Sequence, residues 1–345
     1  MFIKNCWYVA AWTHEIPVGQ FLTRTVCGRP ILFWRDESGT LHAFEDLCCH
    51  RGAPLSIGRH EGNAVRCMYH GFLFDTRGVC VEIPGQDRIP GNAKVRSYAV
   101  QERHRWVWLW MGEPQAAEPA WIPDTRWLDD PDWACTPPGY LHYDVNYQLV
   151  NDNLLDFSHL SYVHPTTLGG SEEYAQLRSR IERLERGLRI TRWFMDRPPA
   201  PFVEKLVRAK GMAGNVDRWN NYDFMLPGVL IMDSGFAIAG TGAEHGNREG
   251  AIEFRHCQAV TPETEDSCHY FFAQPRNFDK DSEEVNQALY RSVLKAFEED
   301  RAVIMAQAGS LRRNPDFQPV GCGLDAALGQ FRALIQRELD REEKL

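Results

Sequence analysis

Asn151-Asp152-Asn153-Leu154-Leu155-Asp156-Phe157-Ser158-His159-Leu160-Ser161-Tyr162-Val163-His164-Pro165 is a run without glycine, and its apolar stripe of Leu154, Leu155, Phe157 and Leu160 reads as a helix. Asn153, Asp156 and His159 recur every third residue and form a polar line along one side of it. His164 precedes Pro165, which disfavours helix at the residue before it, so His164 can turn back toward His159. Two imidazoles with a carboxylate nearby are the raw material of a metal site. A third ligand is offered far away in sequence. From Ser282 to about Gln307 the chain reads as a long amphipathic helix with Leu289, Val293, Phe297 and Ile304 on one face. Asp300 lies on that apolar face, where a carboxylate needs a cation or hydrogen-bond donors to receive it. Glu298 and Glu299 are expected to point away as solvated charges. His159, His164 and Asp300 would form a two-His-one-carboxylate triad, which leaves positions open on Fe(II) for oxygen chemistry. The alternative is a hydrogen-bonded histidine pair beside a capping or ion-paired aspartate.

The 345 residues allow two domains, and 43% hydrophobic with 25% charged residues is the composition of a globular protein. A net charge of −9 argues against nucleic acid as a partner. The start, MFIKNCWYVAAW, is too short and too aromatic for a signal peptide, and no apolar run is long enough to span a membrane. Ten cysteines without a secretion signal point to thiols and metal ligands rather than a disulfide framework, and to the cytoplasm.

Residues 1 to about 112 read as a small all-β unit, with strands such as Trp7–Ala11, Ile31–Arg35 and Leu41–Glu45. Arg105–Trp110 is a near-continuous apolar strand expected to be buried on both faces. Within this unit stand Cys48-x-His50, then sixteen residues, then Cys67-x-x-His70. Four such ligands could hold one zinc or a Rieske [2Fe–2S] centre with both cysteines on one iron and both histidines on the other. Zinc fingers pair like ligands locally, whereas each loop here brings one of each kind. The spacing therefore favours the cluster.

Met111–Pro119 is a polar, proline-marked connector, dividing the chain into residues 1–115 and 116–345. Strand-like runs follow at Leu188–Phe194, Val229–Ser234, Ala251–Val260 and Cys268–Ala273, and a last helix at about Ala326–Glu342. Strands grouped between helices indicate an α+β domain with an antiparallel sheet. Alternation in Ile252–Val260 puts His256 and Gln258 on an otherwise apolar inward face. They are either a hydrogen-bonded core pair or the partners of a polar substituent on an apolar ligand. Arg189 and Arg192 read as surface charges.

The two cysteine–histidine loops, the Asn153/Asp156/His159/His164 pattern and the late aspartate resemble, over essentially the whole chain, the terminal oxygenase component of Rieske non-haem iron aromatic-ring oxygenases. Cys49 stands where that family usually has proline and is expected to be a buried thiol; Phe72 stands where tryptophan is usual. Ala53 and Met68 or Tyr69 occupy the positions of the extra disulfide of respiratory-type Rieske proteins, so an unbraced cluster is implied. The resemblance implies an all-β [2Fe–2S] domain followed by a helix-grip domain, in which a curved sheet wraps the long helix and leaves a cavity. It also implies a separate NAD(P)H-dependent reductase carrying flavin and iron–sulfur, and a homotrimer. Asp156, which could bond a ligand imidazole, would in such a ring reach the neighbouring subunit's His70. Asn153 would sit near the iron in a supporting role. MFIKNCWYVAAW, EIPGQ and VHPTTLGG are similar to the branch of vanillate O-demethylases and toluenesulfonate methyl-monooxygenases. This implies O2-dependent hydroxylation of the methyl group of an aromatic acid such as toluene-4-sulfonate to the benzyl alcohol, or else O-demethylation of a methoxybenzoate such as vanillate. A non-catalytic electron carrier and a zinc-stabilised binding module stay as alternatives from other classes.

Overall fold

A computed structural model describes residues 1–168, 178–199 and 201–344. Gly169 and Gly170, at the end of VHPTTLGG, lie outside them. The chain divides into two compact units. The first comprises Met1–Ile122, with Thr261–Glu265 and the residues from Glu342. The second holds the remainder of the chain.

The first unit is all-β, apart from short 3-10 turns. Trp106–Trp110 is the middle strand of a three-stranded sheet, between Trp7–Trp12 and Val100–Arg103, and every one of its residues is buried. Leu22–Val26, Arg29–Arg35, Leu41–Glu45 and Ser97–Tyr98 form a four-stranded sheet. A second four-stranded sheet, from Arg59–His60 to Cys80–Glu82, contains the hairpin Ala64–Arg66/Leu73–Asp75. The Cys67–Phe72 segment is the tip of that hairpin. Cys48 and Cys67 are buried in a core cluster with Leu32, Trp34, Phe44 and Phe74.

The second unit is α+β, with a ten-stranded antiparallel sheet and a helix of 31 residues, Glu283–Arg313. That helix runs past the expected Gln307 and stops at Asn314, where Pro315 disfavours continuing. Val293, Phe297, Asp300 and Ile304 are buried on it. Phe297 meets the sheet edge-on, its ring centroid 5.2 Å from Tyr270 and 4.8 Å from Phe272. The sheet and the long helix make the helix-grip arrangement. Among the described residues no helix is long and apolar enough to cross a membrane.

Three local expectations are corrected. Asn151–Pro165 is not one helix. An α-helix, Tyr147–Leu155, ends at Asp156, which is extended (φ −117°, ψ 105°); a 3-10 turn, Phe157–His159, and a short helix, Leu160–Val163, follow. The Asp156 carboxylate caps the new turn, accepting from the Ser158 amide and hydroxyl, both at 2.8 Å. A short side chain that bonds its own backbone competes with helix, and here it wins. The strand expected over Leu188–Phe194 is two, Gly187–Thr191 and Trp193–Arg197, separated at Arg192. Arg192 is buried, donating to Ser179 Oγ at 2.8 and 3.1 Å, rather than a surface charge. Arg189 is exposed and paired with Asp223, as expected.

Val216–Met225 is a strand that hydrophobic patterning does not reveal. Its inward face alternates Val216, Arg218, Asn220, Tyr222 and Phe224, so polar residues interrupt the apolar period.

Candidate metal centre and cluster loops

The cluster loops share one construction. Cys48 N–H donates to Ala53 O at 2.8 Å and Gly52 N–H to Cys48 O at 2.9 Å. In the second loop Cys67 N–H donates to Phe72 O at 2.8 Å and Gly71 N–H to Cys67 O at 3.0 Å. Gly52 and Gly71 have φ of +73° and +74°, which glycine adopts without the Cβ penalty. Asp46 accepts from the Ser56 amide (2.7 Å) and hydroxyl (2.6 Å), closing the base of the first loop. Arg66 braces the second, donating to Gly71 O at 2.8 Å while ion-paired to Glu61 and Glu82. The loops expose His50 and His70, with ring centroids 4.5 Å apart, and bury the cysteines. Phe72 stacks on His50 at 4.8 Å. Burial pushes the Cys48 thiol up to about 12, so without a metal it keeps its proton, and a bound metal cation would displace that proton. Cys67 is its hydrogen-bond neighbour. Two buried sulfurs behind two exposed imidazoles suit a two-iron cluster with cysteines on the inner metal and histidines on the outer one. Cys49, expected to be buried, is exposed: it follows Cys48 at the turn and points away from the core.

In the second unit, one ligand atom from each of His159, His164 and Asp300 lies within 4.8 Å of the others. Among the described residues this is the three-ligand group compact enough for a single ion. His164 is fully buried, and its Nε2 is 3.0 Å from Asp300 Oδ1. His159 Nε2 is 3.4 Å from the same oxygen, to which Asn153 Nδ2 donates at 3.0 Å. The other face of each ring is occupied. His164 Nδ1–H donates to Glu299 Oε2 at 2.9 Å, and His159 Nδ1–H donates to the main-chain carbonyl of Asp156. In the neutral rings both Nε2 atoms then present lone pairs to a carboxylate oxygen. A proton on an imidazole or a metal cation among them relieves that arrangement, and the donor set of two imidazoles and a carboxylate fits iron. Burial alone would raise the Asp300 carboxyl, but the bonds from His159 and His164 hold it at about 2. Burial opposes charge on His164, yet the Asp300 and Glu299 carboxylates raise its pKa above the usual imidazole value.

Two expectations change here. Glu299 is not a solvated charge: it receives His164 and also Thr167 Oγ1, at 2.6 Å. Helix periodicity assigns a residue one face, but a long side chain beside a buried imidazole reaches round it. Glu298 is paired with Arg301 at the surface, as expected. Asp156 meets His159 through its carbonyl, because the break in the helix turns its carboxylate toward Ser158.

His159, Asn153 and Asp300 open onto a cavity of about 720 Å³. Its walls are largely apolar, including Leu154, Phe236, Phe254 and Phe297. His256 and Gln258 both line it, on the inward face as expected. His256 Nε2 lies 3.1 Å from Ser234 Oγ and 3.2 Å from Gln274 Nε2, and Gln258 accepts from Tyr270 OH at 2.7 Å. Burial, helped by the Arg255 charge, pushes His256 down to about 3, so it is neutral. Lys205 and Arg218 are the cationic side chains among the described lining residues.

Residues 6–99 match the Rieske [2Fe-2S] domain, and residues 143–341 match the vanillate O-demethylase oxygenase C-terminal domain. The chain belongs to the Rieske oxygenase family. This Rieske oxygenase is 48% identical to the iron–sulfur subunit of the toluene-4-sulfonate monooxygenase system of Comamonas testosteroni, over 99% of this chain and 98% of that one. It is 35% identical to a vanillate O-demethylase oxygenase subunit from a Pseudomonas species, over 100% and 97% of the two chains. Crystalline dicamba monooxygenase bound to 3,6-dichlorosalicylic acid superposes with a TM-score of 0.89 at 32% identity, over 99% of each chain. A second structure of that enzyme, with non-haem iron and dicamba, superposes at 0.84 with 31% identity, over 100% of this chain and 99% of the other. The relatives' names are those of subunits of multi-component systems, and this Rieske oxygenase is an oxidoreductase of the same family.

Proposed function

We propose that this Rieske oxygenase is the terminal component of a monooxygenase system that hydroxylates the methyl group of an aromatic acid such as toluene-4-sulfonate to the benzyl alcohol. The observation that carries the reading is the opening of the His159–His164–Asp300 centre onto an apolar cavity with its own cationic and hydrogen-bonding groups. Likeness to the toluene-4-sulfonate monooxygenase subunit favours this substrate class. O-demethylation of a methoxybenzoate such as vanillate is the second reading, favoured by the match to the vanillate-type domain.

Residues 1–115 form the cluster domain, with Cys48, His50, Cys67 and His70 as ligands, and residues 116–345 the catalytic domain. His159, His164 and Asp300 hold a mononuclear iron. When bound, the cluster supplies single electrons and the iron supplies oxygen activation; a separate NAD(P)H-dependent reductase with flavin and iron–sulfur is the electron source. Asn153 steadies Asp300 Oδ1 by its amide. The apolar wall excludes water from the aromatic ring. Neutral His256 and Gln258 hydrogen-bond the acid group on the sheet side, and Arg218 on the sheet with Lys205 on the helix Pro201–Ala209 attract its charge. The methyl end is thereby left facing the helix side, where His159 and Asp300 lie. The working unit is a head-to-tail homotrimer in the cytoplasm, where Asp156 of one subunit serves His70 of the next. None of the cysteines is paired in a disulfide among the described residues, which suits a reducing compartment.

The test is a panel of sulfonated, carboxylated and methoxylated aromatics, given to the purified chain with reductase, NAD(P)H and O2. Benzyl alcohol from toluene-4-sulfonate is the expected product. Formaldehyde from methoxybenzoates with no benzyl alcohol would replace this reading by the second.

A further inference from the structure

The geometry points to Glu299 as a positioning residue that fixes His164 for metal binding. His164 is fully buried between consecutive residues of the long helix, its Nδ1 on Glu299 and its Nε2 toward Asp300. Glu299 Oε2 takes two donors, His164 Nδ1–H at 2.9 Å and Thr167 Oγ1–H at 2.6 Å. Three consequences follow from that one carboxylate. It selects the tautomer that leaves Nε2 as the ligating atom. It orients the ring, since an imidazole anchored at Nδ1 has its Nε2 direction set. It adds negative charge behind the ring, which makes Nε2 a stronger donor to a cation. Thr167 anchors the carboxylate in turn, and its neighbours Thr166 and Leu168 line the cavity. His159, by contrast, is held by a neutral carbonyl, so the two histidines are unequal ligands: of the two, His164 has the carboxylate behind its ring.

This inference rests on reading His159, His164 and Asp300 as iron ligands, and the experiment separates the two. The cluster-loaded chain is stripped of its second iron and retitrated anaerobically with Fe(II) against a competing chelator, with cluster absorbance followed throughout. A native chain that takes up no iron beyond the cluster overturns the parent reading. If the native chain does bind it, Glu299→Gln is expected to weaken affinity about tenfold and Glu299→Ala up to about a hundredfold, the range for a lost partner behind a metal-bound histidine. The cluster spectrum and melting temperature of Glu299→Gln should match the native chain. Thr167→Val, which leaves the Glu299–His164 bond in place, should stay near native affinity. Co(II) bound in place of iron should show shifted visible ligand-field bands in Glu299→Gln but not in Thr167→Val. Affinity in Glu299→Gln within about twofold of native would overturn the inference; this is well below the change expected for such a partner. So would a Thr167→Val loss equal to that of Glu299→Ala, since the turn rather than the histidine bond would then be responsible.

Discussion

Asp300 is the residue on which the proposed iron centre converges, with His159, His164 and Asn153 all meeting one of its carboxylate oxygens. Asp300→Ala should therefore lose the mononuclear iron and all turnover while keeping the cluster spectrum; metal analysis beside visible absorbance checks this, and retained catalysis would move the third ligand elsewhere. Asp156 requires a subtler substitution, because its carboxylate also caps the Phe157–His159 turn. Asparagine caps about as well as aspartate, so Asp156→Asn removes charge with little loss of fold. Expected are normal contents of both metals, normal cluster reduction by the reductase, and product formation lowered about 10–100-fold. Hydroxylation at the native rate would show that electrons take another route. At this scale the ligand types were legible in the sequence, since Cys-x-His and Cys-x-x-His state their chemistry locally. The role of Glu299 was not, because nothing within a few residues of it mentions His164.

The cluster loops are elements whose shape depends on two glycines, and they differ in how much room each has. A Cβ on Gly71 would come within 2.7 Å of Pro84 Cγ, whereas one on Gly52 would meet Leu47 Cδ1 at an ordinary 3.5 Å. Both substitutions carry the strain of positive φ, about 1–3 kcal/mol, and Gly71→Ala adds the clash. Gly71→Ala is thus expected to lower iron and sulfide per chain more than Gly52→Ala does; equal losses would mean that only backbone conformation matters. At the start of the long helix, Ser282 Oγ accepts from the Val285 amide at 3.3 Å, so Ser282→Ala should cost about 1 kcal/mol, read from denaturation of the second unit. Element types were legible: Gly, Pro and Asp punctuation set off the strand Leu41–Glu45, and the apolar stripe found the long helix as far as about Gln307, short of its end at Arg313. Where a side chain bonded its own backbone, as at Asp156, or polar residues faced inward, as along Val216–Met225, the period misled.

For the whole molecule, the proposed ring makes a direct expectation: purified protein should sediment as three copies of the 39.6 kDa chain and be brown-red. A monomer with full activity would remove the path between Asp156 and a neighbour's His70. A colourless protein containing zinc without sulfide would contradict the family's cluster. The sequence by itself determined the two-part organisation and the α+β class of the second part, and it put forward the proposed cluster ligands. Each of these depends on residues close together in the chain, where spacing and alternation leave a visible pattern. Only the tertiary structure brought the three proposed iron ligands within reach of one ion. His164 and Asp300 are 136 residues apart, and His164 meets Glu299 across 135. Which of three consecutive acids, Glu298, Glu299 or Asp300, faces a buried imidazole depends on how the long helix is rotated against the sheet. That rotation goes with Phe297 packing on Tyr270 and Phe272; the apolar stripe marks the face of Phe297 and Asp300 in the sequence, but leaves no trace of Glu299 reaching His164.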